Sequence, residues 1–154
     1  MAITAMEILE RCRQAPGDLE ELERQKARLW ECAQGLRGQD LNRVGSPGTA
    51  EPDRMSAFSA EIDDVERKIA RRLQEKAAEE KAACKLISYI PAIMGEVLYR
   101  YYVGGMPLAA IATHCNYHPS YVRKQKARGD SLVRQTLDNA VIGLMPEWYL
   151  KEAT

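Results

Sequence analysis

The sequence predicts an all-α protein: long N-terminal helices, forming a hairpin or a coiled coil, followed by a C-terminal helix-turn-helix module. Apolar residues recur every three or four positions over 19–36 and 58–69, which is the period of a helix. The 154 residues contain only 10 Gly and 7 Pro, which excludes collagen-like and low-complexity chains. Shifts in pattern and charge divide the chain into residues 1–87, 88–137 and an apolar tail, 138–154.

In residues 1–87, local signals predict two long helices joined by a loop. A short helical pattern over 6–14 meets Pro16-Gly17, and Asp18, with Glu21 three residues later, is typical of a new N-terminus. We therefore expect a helix at about 18–36. The segment 37–54 is rich in Gly, Pro and polar residues and predicts a flexible loop. A helix of about 56–87 follows it.

Both long helices carry one apolar seam that needs a partner. The partner is either the other helix of the same chain or a second copy, and a homodimer is the expected state. The residues expected at this contact are Leu22, Leu29, Phe58, Ile62, Val65 and Ile69.

Residues 88–137 contain the spacing of a helix-turn-helix. An apolar helical face from Ile93 ends at Gly104-Gly105, and a second helix is expected near Pro107. Asn116 tolerates the left-handed conformation of a tight turn, and Pro119 suits the first turn of a third helix. The expected packing residues of this module are Val97, Leu108, Ile111, Ala112 and Val122.

Charge is unevenly distributed although the total is zero. Residues 88–137 hold six basic and two acidic side chains, whereas residues 1–87 hold 15 and 17. At roughly 100° per residue, the last helix of the module has an apolar side and an opposite side rich in basic groups. Such a helix suits the major groove, because Arg and Lys donate to guanine edges and phosphates. The residues expected to contact DNA are Ser120, Tyr121, Arg123, Lys124, Ala127, Arg128 and Ser131.

Two runs in this module carry a family resemblance. VLYRYYVGGMPLAAIA over 97–112 and CNYHPSYVRK over 115–124 resemble region four of bacterial sigma factors. The resemblance is closest to late-gene transcription regulators of the RinA and ArpU kind, found in phages and prophages of Gram-positive bacteria. It implies sequence-specific binding to double-stranded DNA, with host RNA polymerase as a further partner, in the bacterial cytoplasm at the nucleoid.

The chain departs from the pattern of this family at three positions. Gln125 and Asp130 stand where apolar residues are usual, and His118 stands where Ser or Thr caps the helix. Two other functions remain open. A DNA-packaging component similar to a small terminase subunit would form a ring, and an adaptor would bind polymerase or another protein without DNA.

The tail over 138–154 is apolar for a chain terminus. It is expected either to dock on its own helical core or to contact a partner through Met145, Trp148 and Leu150. The cluster of tyrosines between residues 89 and 121 favours packing between helices over base stacking, with Tyr121 as the exception to be tested.

No catalytic residues, metal site or cofactor are predicted. The carboxylate pairs Asp63-Asp64 and Glu79-Glu80 are expected on solvent-facing helices, where they do not converge. His114, Cys115 and His118 with Cys84 lack the paired spacing of a zinc site. The longest uncharged stretch, 101–122, contains Gly, Pro and His, so no membrane segment is expected, and no secretory signal is visible.

Overall fold

The computed structural model describes residues 2–42 and 51–153, and it confirms the all-α prediction. The described chain forms helices and short connections, with no strand. The α-helices are α1 (Ala5–Asn42), α2 (Glu51–Ser88), α3 (Ala92–Leu98), α4 (Leu108–Cys115), α5 (Pro119–Thr136), α6 (Val141–Leu144) and α7 (Glu147–Ala153). A π-helical turn, Tyr99–Val103, extends α3 up to the predicted stop at Gly104.

The predicted break at Pro16-Gly17 is wrong, because α1 continues through Pro16. A proline inside a helix removes one backbone hydrogen bond and costs about 3 kcal/mol or more. The preceding turns are held by tertiary packing, since Ala5, Ile8 and Ala15 are buried completely. The stability gained from this packing outweighs the cost of the proline. The helices predicted at 6–14 and 18–36 therefore form one continuous helix.

The predicted loop over 37–54 is also too long. Residues 37–42 belong to α1 and residues 51–54 to α2, while the rest of the predicted loop, 43–50, lies outside the described residues. Few apolar residues fall in this segment, so periodicity could not mark these helix ends.

The chain forms two compact units whose boundaries differ from the predicted division at residues 87 and 137. One unit consists of residues 2–15 and 74–153, and the other, here called the hairpin unit, is Pro16–Leu73. The first turns of α1, the last turns of α2 and the apolar tail therefore belong to the same unit as the helix-turn-helix.

In the hairpin unit, the two long helices pair within one chain and run antiparallel. Arg72 lies 3.2 Å from Asp18, and Lys26 lies 3.4 Å from Glu66. The seam expected at a partner contact faces this pairing: Ile62 and Val65 are buried, and Leu22, Leu29, Phe58 and Ile69 are half-buried.

In the larger unit, the main apolar core joins both ends of the chain. Leu9 and Cys12 of α1 pack in one cluster with Leu86 of α2 and with Met145 and Tyr149 of the tail. The tail therefore docks on its own core. Of the tail residues considered for a partner contact, Met145 is buried, Leu150 is half-buried and Trp148 is 40% exposed.

Candidate nucleic-acid interface

A three-residue turn, 116–118, joins α4 to α5. Asn116 adopts the left-handed conformation with φ of 57°, and the N–H of Tyr117 donates to the carbonyl oxygen of Ala112 at 2.9 Å. This is a Schellman-type end to α4, and Asn is among the few residues that accept it at low cost. Pro119 then occupies the first turn of α5, as expected.

His118 caps α5 in place of a Ser or Thr hydroxyl. Its Nδ1 accepts the backbone N–H of Ser120 at 3.2 Å and lies 2.8 Å from Ser120 Oγ. An atom that accepts a backbone N–H carries no proton of its own, so the cap requires the imidazole with an unprotonated Nδ1. The departure from the family pattern at His118 therefore preserves the capping interaction with a different chemical group.

One side of α5 packs against the helices before it. Val122 forms one cluster with Val97, Ile111 and Ala112, and Leu108 packs half-buried against them. Further along the same side, a Cβ on Gly129 would lie 2.9 Å from Leu98 Cδ1, so a side chain at this position would require Leu98 to move.

The buried side of α5 also carries polar side chains, and Asp130 among them has partners within the protein. Tyr102 donates its hydroxyl hydrogen to Asp130 Oδ1 at 2.8 Å, and Lys126 Nζ lies 2.7 Å from Asp130 Oδ2. Burial and the hydrogen bond to Asp130 raise the pKa of Tyr102. Gln125 is only 9% exposed. Asp130 and Lys126 thus form an ion pair on the buried side of α5, and Lys126 contributes to packing rather than to the exposed surface.

The opposite side of α5, here called the basic face, consists of the seven residues expected to contact DNA. Arg123, Lys124, Ala127 and Arg128 are exposed, whereas Ser120, Tyr121 and Ser131 are half-buried. None of the three cationic side chains makes an ion pair or hydrogen bond with another described residue. The basic face therefore presents fixed positive charge that the described part of the protein does not neutralise.

The other residues of the basic face have partners within the protein. The hydroxyl of Ser131 accepts from Gln135 Nε2 at 3.1 Å, and Ser120 is held by His118. The ring of Tyr121 packs edge-to-face on that of Tyr117, with centroids 5.3 Å apart. These contacts fix the positions of the shorter side chains around the free cations.

Sequence reasoning missed one buried polar group. Glu79 was expected to face solvent, which is wrong: it has no exposed surface, and it accepts a hydrogen bond from the hydroxyl of Tyr149. Arg11 Nη1 donates to the same hydroxyl at 3.0 Å. The signal was present in the sequence, since Glu79 precedes Ala82, Ala83 and Leu86 at helical spacing and so lies on their buried face.

The described residues hold neither a metal centre nor a membrane-spanning helix. No group of three or more His, Cys, Asp or Glu side chains comes together in a way that could hold a metal ion. No helix there combines the length and the apolar character needed to cross a bilayer.

The chain was compared with protein-family models, with curated proteins and with solved structures, and none of them matches it.

Proposed function

We propose that this protein is a sequence-specific DNA-binding transcription regulator that contacts double-stranded DNA through the basic face. The observation that carries the proposal is the contrast between the two sides of α5. One side is packed against α3 and α4, and the other presents Arg123, Lys124 and Arg128 without a carboxylate partner among the described residues. A rigid helix with free cations on one side is what insertion into a groove requires.

The side chains of this face have the chemistry of groove recognition. Arg123 and Arg128 can each donate two hydrogen bonds to O6 and N7 of a guanine, and Lys124 can neutralise a phosphate. The small side chain of Ala127 lets the helix approach closely and leaves room for a thymine methyl group. These contacts combine affinity for the backbone with discrimination between bases.

The remaining parts of the proposal rest on the family resemblance. It supports a regulator of phage or prophage origin that acts at the bacterial nucleoid and recruits or modulates host RNA polymerase. The homodimer is proposed separately, from the long N-terminal helices. Trp148, which is 40% exposed, is the tail residue we assign to contact with a protein partner.

The test is selection of bound fragments from a pool of random and genomic duplexes. Wild type is compared with Arg123→Glu/Lys124→Glu at two salt concentrations. The matched control is Lys81→Glu/Lys85→Glu, two exposed lysines on α2 that lie outside the basic face and outside the hairpin unit, with the same change in charge. Circular dichroism establishes that both variants remain helical.

We expect wild type and the control to enrich a common motif that the Arg123/Lys124 variant loses. Affinity should fall with salt at a log-log slope of roughly −3 to −5, from about 0.9 per phosphate contact. Equal loss in both variants would show that net charge, rather than the basic face, carries binding. No enrichment by folded wild type would refute DNA recognition. In that case a ring of many subunits would indicate a DNA-packaging component, and capture of RNA polymerase would indicate an adaptor.

A further inference from the structure

The hairpin unit has little core of its own. In its described part, three apolar side chains are buried, namely Ala33, Ile62 and Val65. Helices in water owe most of their stability to packing of an apolar face, and two helices alone cover only one stripe of each other. The unit therefore gains from burying more surface.

The uncovered apolar surface is concentrated on one side of this unit. Trp30 is 44% and Leu73 50% exposed. Trp30 lines a cavity of about 200 Å³ together with Ile62 and Glu66. Leu73 follows Glu66 by seven residues, or about two turns, and so lies on the same side. We call this side the tryptophan face: Trp30, Ala33, Met55, Ile62, Glu66 and Leu73.

The opposite side of the hairpin is different in character. Its groove, of about 570 Å³, is flanked by the charged side chains Arg28, Glu61 and Asp64. The cavity beside Trp30 also has charged residues, Asp63 and Glu66, so charge alone does not distinguish the two sides. The difference is that Trp30 and Leu73 are exposed, whereas Leu29 and Val65 in the opposite groove are half-buried and buried. The tryptophan face is therefore the side that favours association.

The charge pattern favours a second copy of this chain as the occupant. Along α1, an acidic block (18–23) precedes a basic block (24–28); along α2, an acidic block (61–66) precedes a basic block (67–72). Within one chain, blocks of opposite charge already lie side by side: Asp18 pairs with Arg72, and Lys26 pairs with Glu66. A second hairpin that lays its α1 against this α2 in the same antiparallel register brings opposite blocks together again.

Other classes of partner fit this surface less well. Residues 16–35 and 55–73 together hold seven basic and nine acidic side chains, which gives no attraction for nucleic acid. Two helices of 20 residues present a surface of about 30 by 20 Å, so two copies would bury about 1,200 Å², the lower bound of a specific interface.

We propose that the tryptophan face binds the same face of a second copy, giving an antiparallel four-helix bundle in which Trp30 is buried. The inference rests on the homodimer of the proposed function and names the surface that forms it. Trp30 is the anchor, because buried tryptophans dominate the free energy of such contacts.

The test measures association and the environment of Trp30 in full-length protein. A Trp148→Phe background leaves Trp30 as the single tryptophan. Sedimentation should give a dimer at about 10 μM, with Trp30 emission that shifts to longer wavelength on dilution. Trp30→Gln/Leu73→Gln should weaken association by roughly 100-fold. Cys32→Ser, on the opposite side, is the control and should leave the dimer intact.

The proposal is overturned if wild type stays monomeric at about 100 μM, or if the Trp30/Leu73 variant, helical by circular dichroism, dimerises as well as wild type. These failures are separable from failure of DNA recognition. A monomer whose duplex binding still depends on Arg123 and Lys124 would refute only the interface. A dimer without duplex binding would refute only the DNA function.

Discussion

Replacing Tyr149 by Phe should destabilise the larger unit without changing its shape. The hydroxyl of Tyr149 donates to the fully buried carboxylate of Glu79 and accepts from Arg11 at 3.0 Å. Phenylalanine removes both hydrogen bonds and keeps the ring. A hydrogen bond to a charged group contributes about 1.5–3 kcal/mol, and a buried carboxylate that loses a donor cannot turn to water instead. We therefore expect the free energy of unfolding to fall by about 2 kcal/mol.

Tyr102→Phe is the matched control for this prediction. It also removes a buried hydroxyl that donates to a carboxylate, but it breaks one hydrogen bond where Tyr149→Phe breaks two. We expect a smaller loss, of about 1 kcal/mol. Urea unfolding followed by circular dichroism measures both variants, with the slope against urea unchanged. A loss below about 0.5 kcal/mol for Tyr149→Phe, or a larger loss for Tyr102→Phe, would refute the reasoning.

The same hydroxyl predicts how stability depends on pH. Burial and the hydrogen bond to Glu79 raise the pKa of Tyr149 above its ordinary value of 10.0, although Arg11 opposes the shift. The folded state then holds this proton more tightly than the unfolded state. The resulting stability is fully present below about pH 10 and is lost as the pH rises further. Tyr149→Phe should therefore lose less stability above pH 10 than wild type.

Three further predictions concern other residues. Gly17 has open space around it within α1, so Gly17→Ala should stabilise the fold by about 0.5–1 kcal/mol. Gly129→Ala should destabilise it by about 1 kcal/mol, because the added methyl group meets Leu98. Thermal unfolding measures both variants, and stability changes of the same sign would contradict the packing argument. Burial raises the pKa of Cys12 from 9.0 to about 12, so the free energy of unfolding should decline from about pH 9 upward. The decline should be smaller in Cys12→Ala. Identical dependence of stability on pH above 9 in the variant and wild type would rule this out. Lys124→Ala should weaken binding to duplex and reduce the salt slope by about 0.9, and an unchanged slope would remove Lys124 from the phosphate contacts.

The predictions that agree with the structure are those that depend on short-range signals. Gly105, with φ of 68°, closes the π-helical turn after α3, and Pro107, Asn116 and Pro119 mark the start and end of α4 and the start of α5. These residues act through their own backbone preferences, which need no distant partner. Periodicity also separated the two sides of α5, since a regular helix of 18 residues allows little deviation in angle. The arrangement of the helices around these turns was therefore predictable from the spacing of residues in the sequence alone.

The errors arise where tertiary packing overrides local preference. Nothing near Pro16 indicates that the turns before it are buried by residues more than 65 positions later, such as Ala82 and Leu86. For Glu79, local spacing indicates the buried face of α2, but its partner Tyr149 lies 70 residues away and is not indicated. Gly129 costs α5 about 1 kcal/mol relative to alanine by local preference, and the contact with Leu98, 31 residues earlier, is what favours it. Local patterns carry no information about such distant partners.

The division of the chain into units has a consequence for biosynthesis. The hairpin unit is inserted between residue 15 and residue 74, so the first turns of α1 pack with segments made last. The backbone N–H of Ala5 donates to Asp138 Oδ1 at 3.0 Å, and Arg11 reaches Tyr149. A ribosome extends the chain at about 5–20 residues per second, so residues 5–15 wait several seconds for these partners. Meanwhile their apolar side chains are exposed, while the hairpin, whose contacts are local, is free to form. We expect nascent chains arrested before residue 138 to bind chaperones, and release to follow once the tail has left the ribosome.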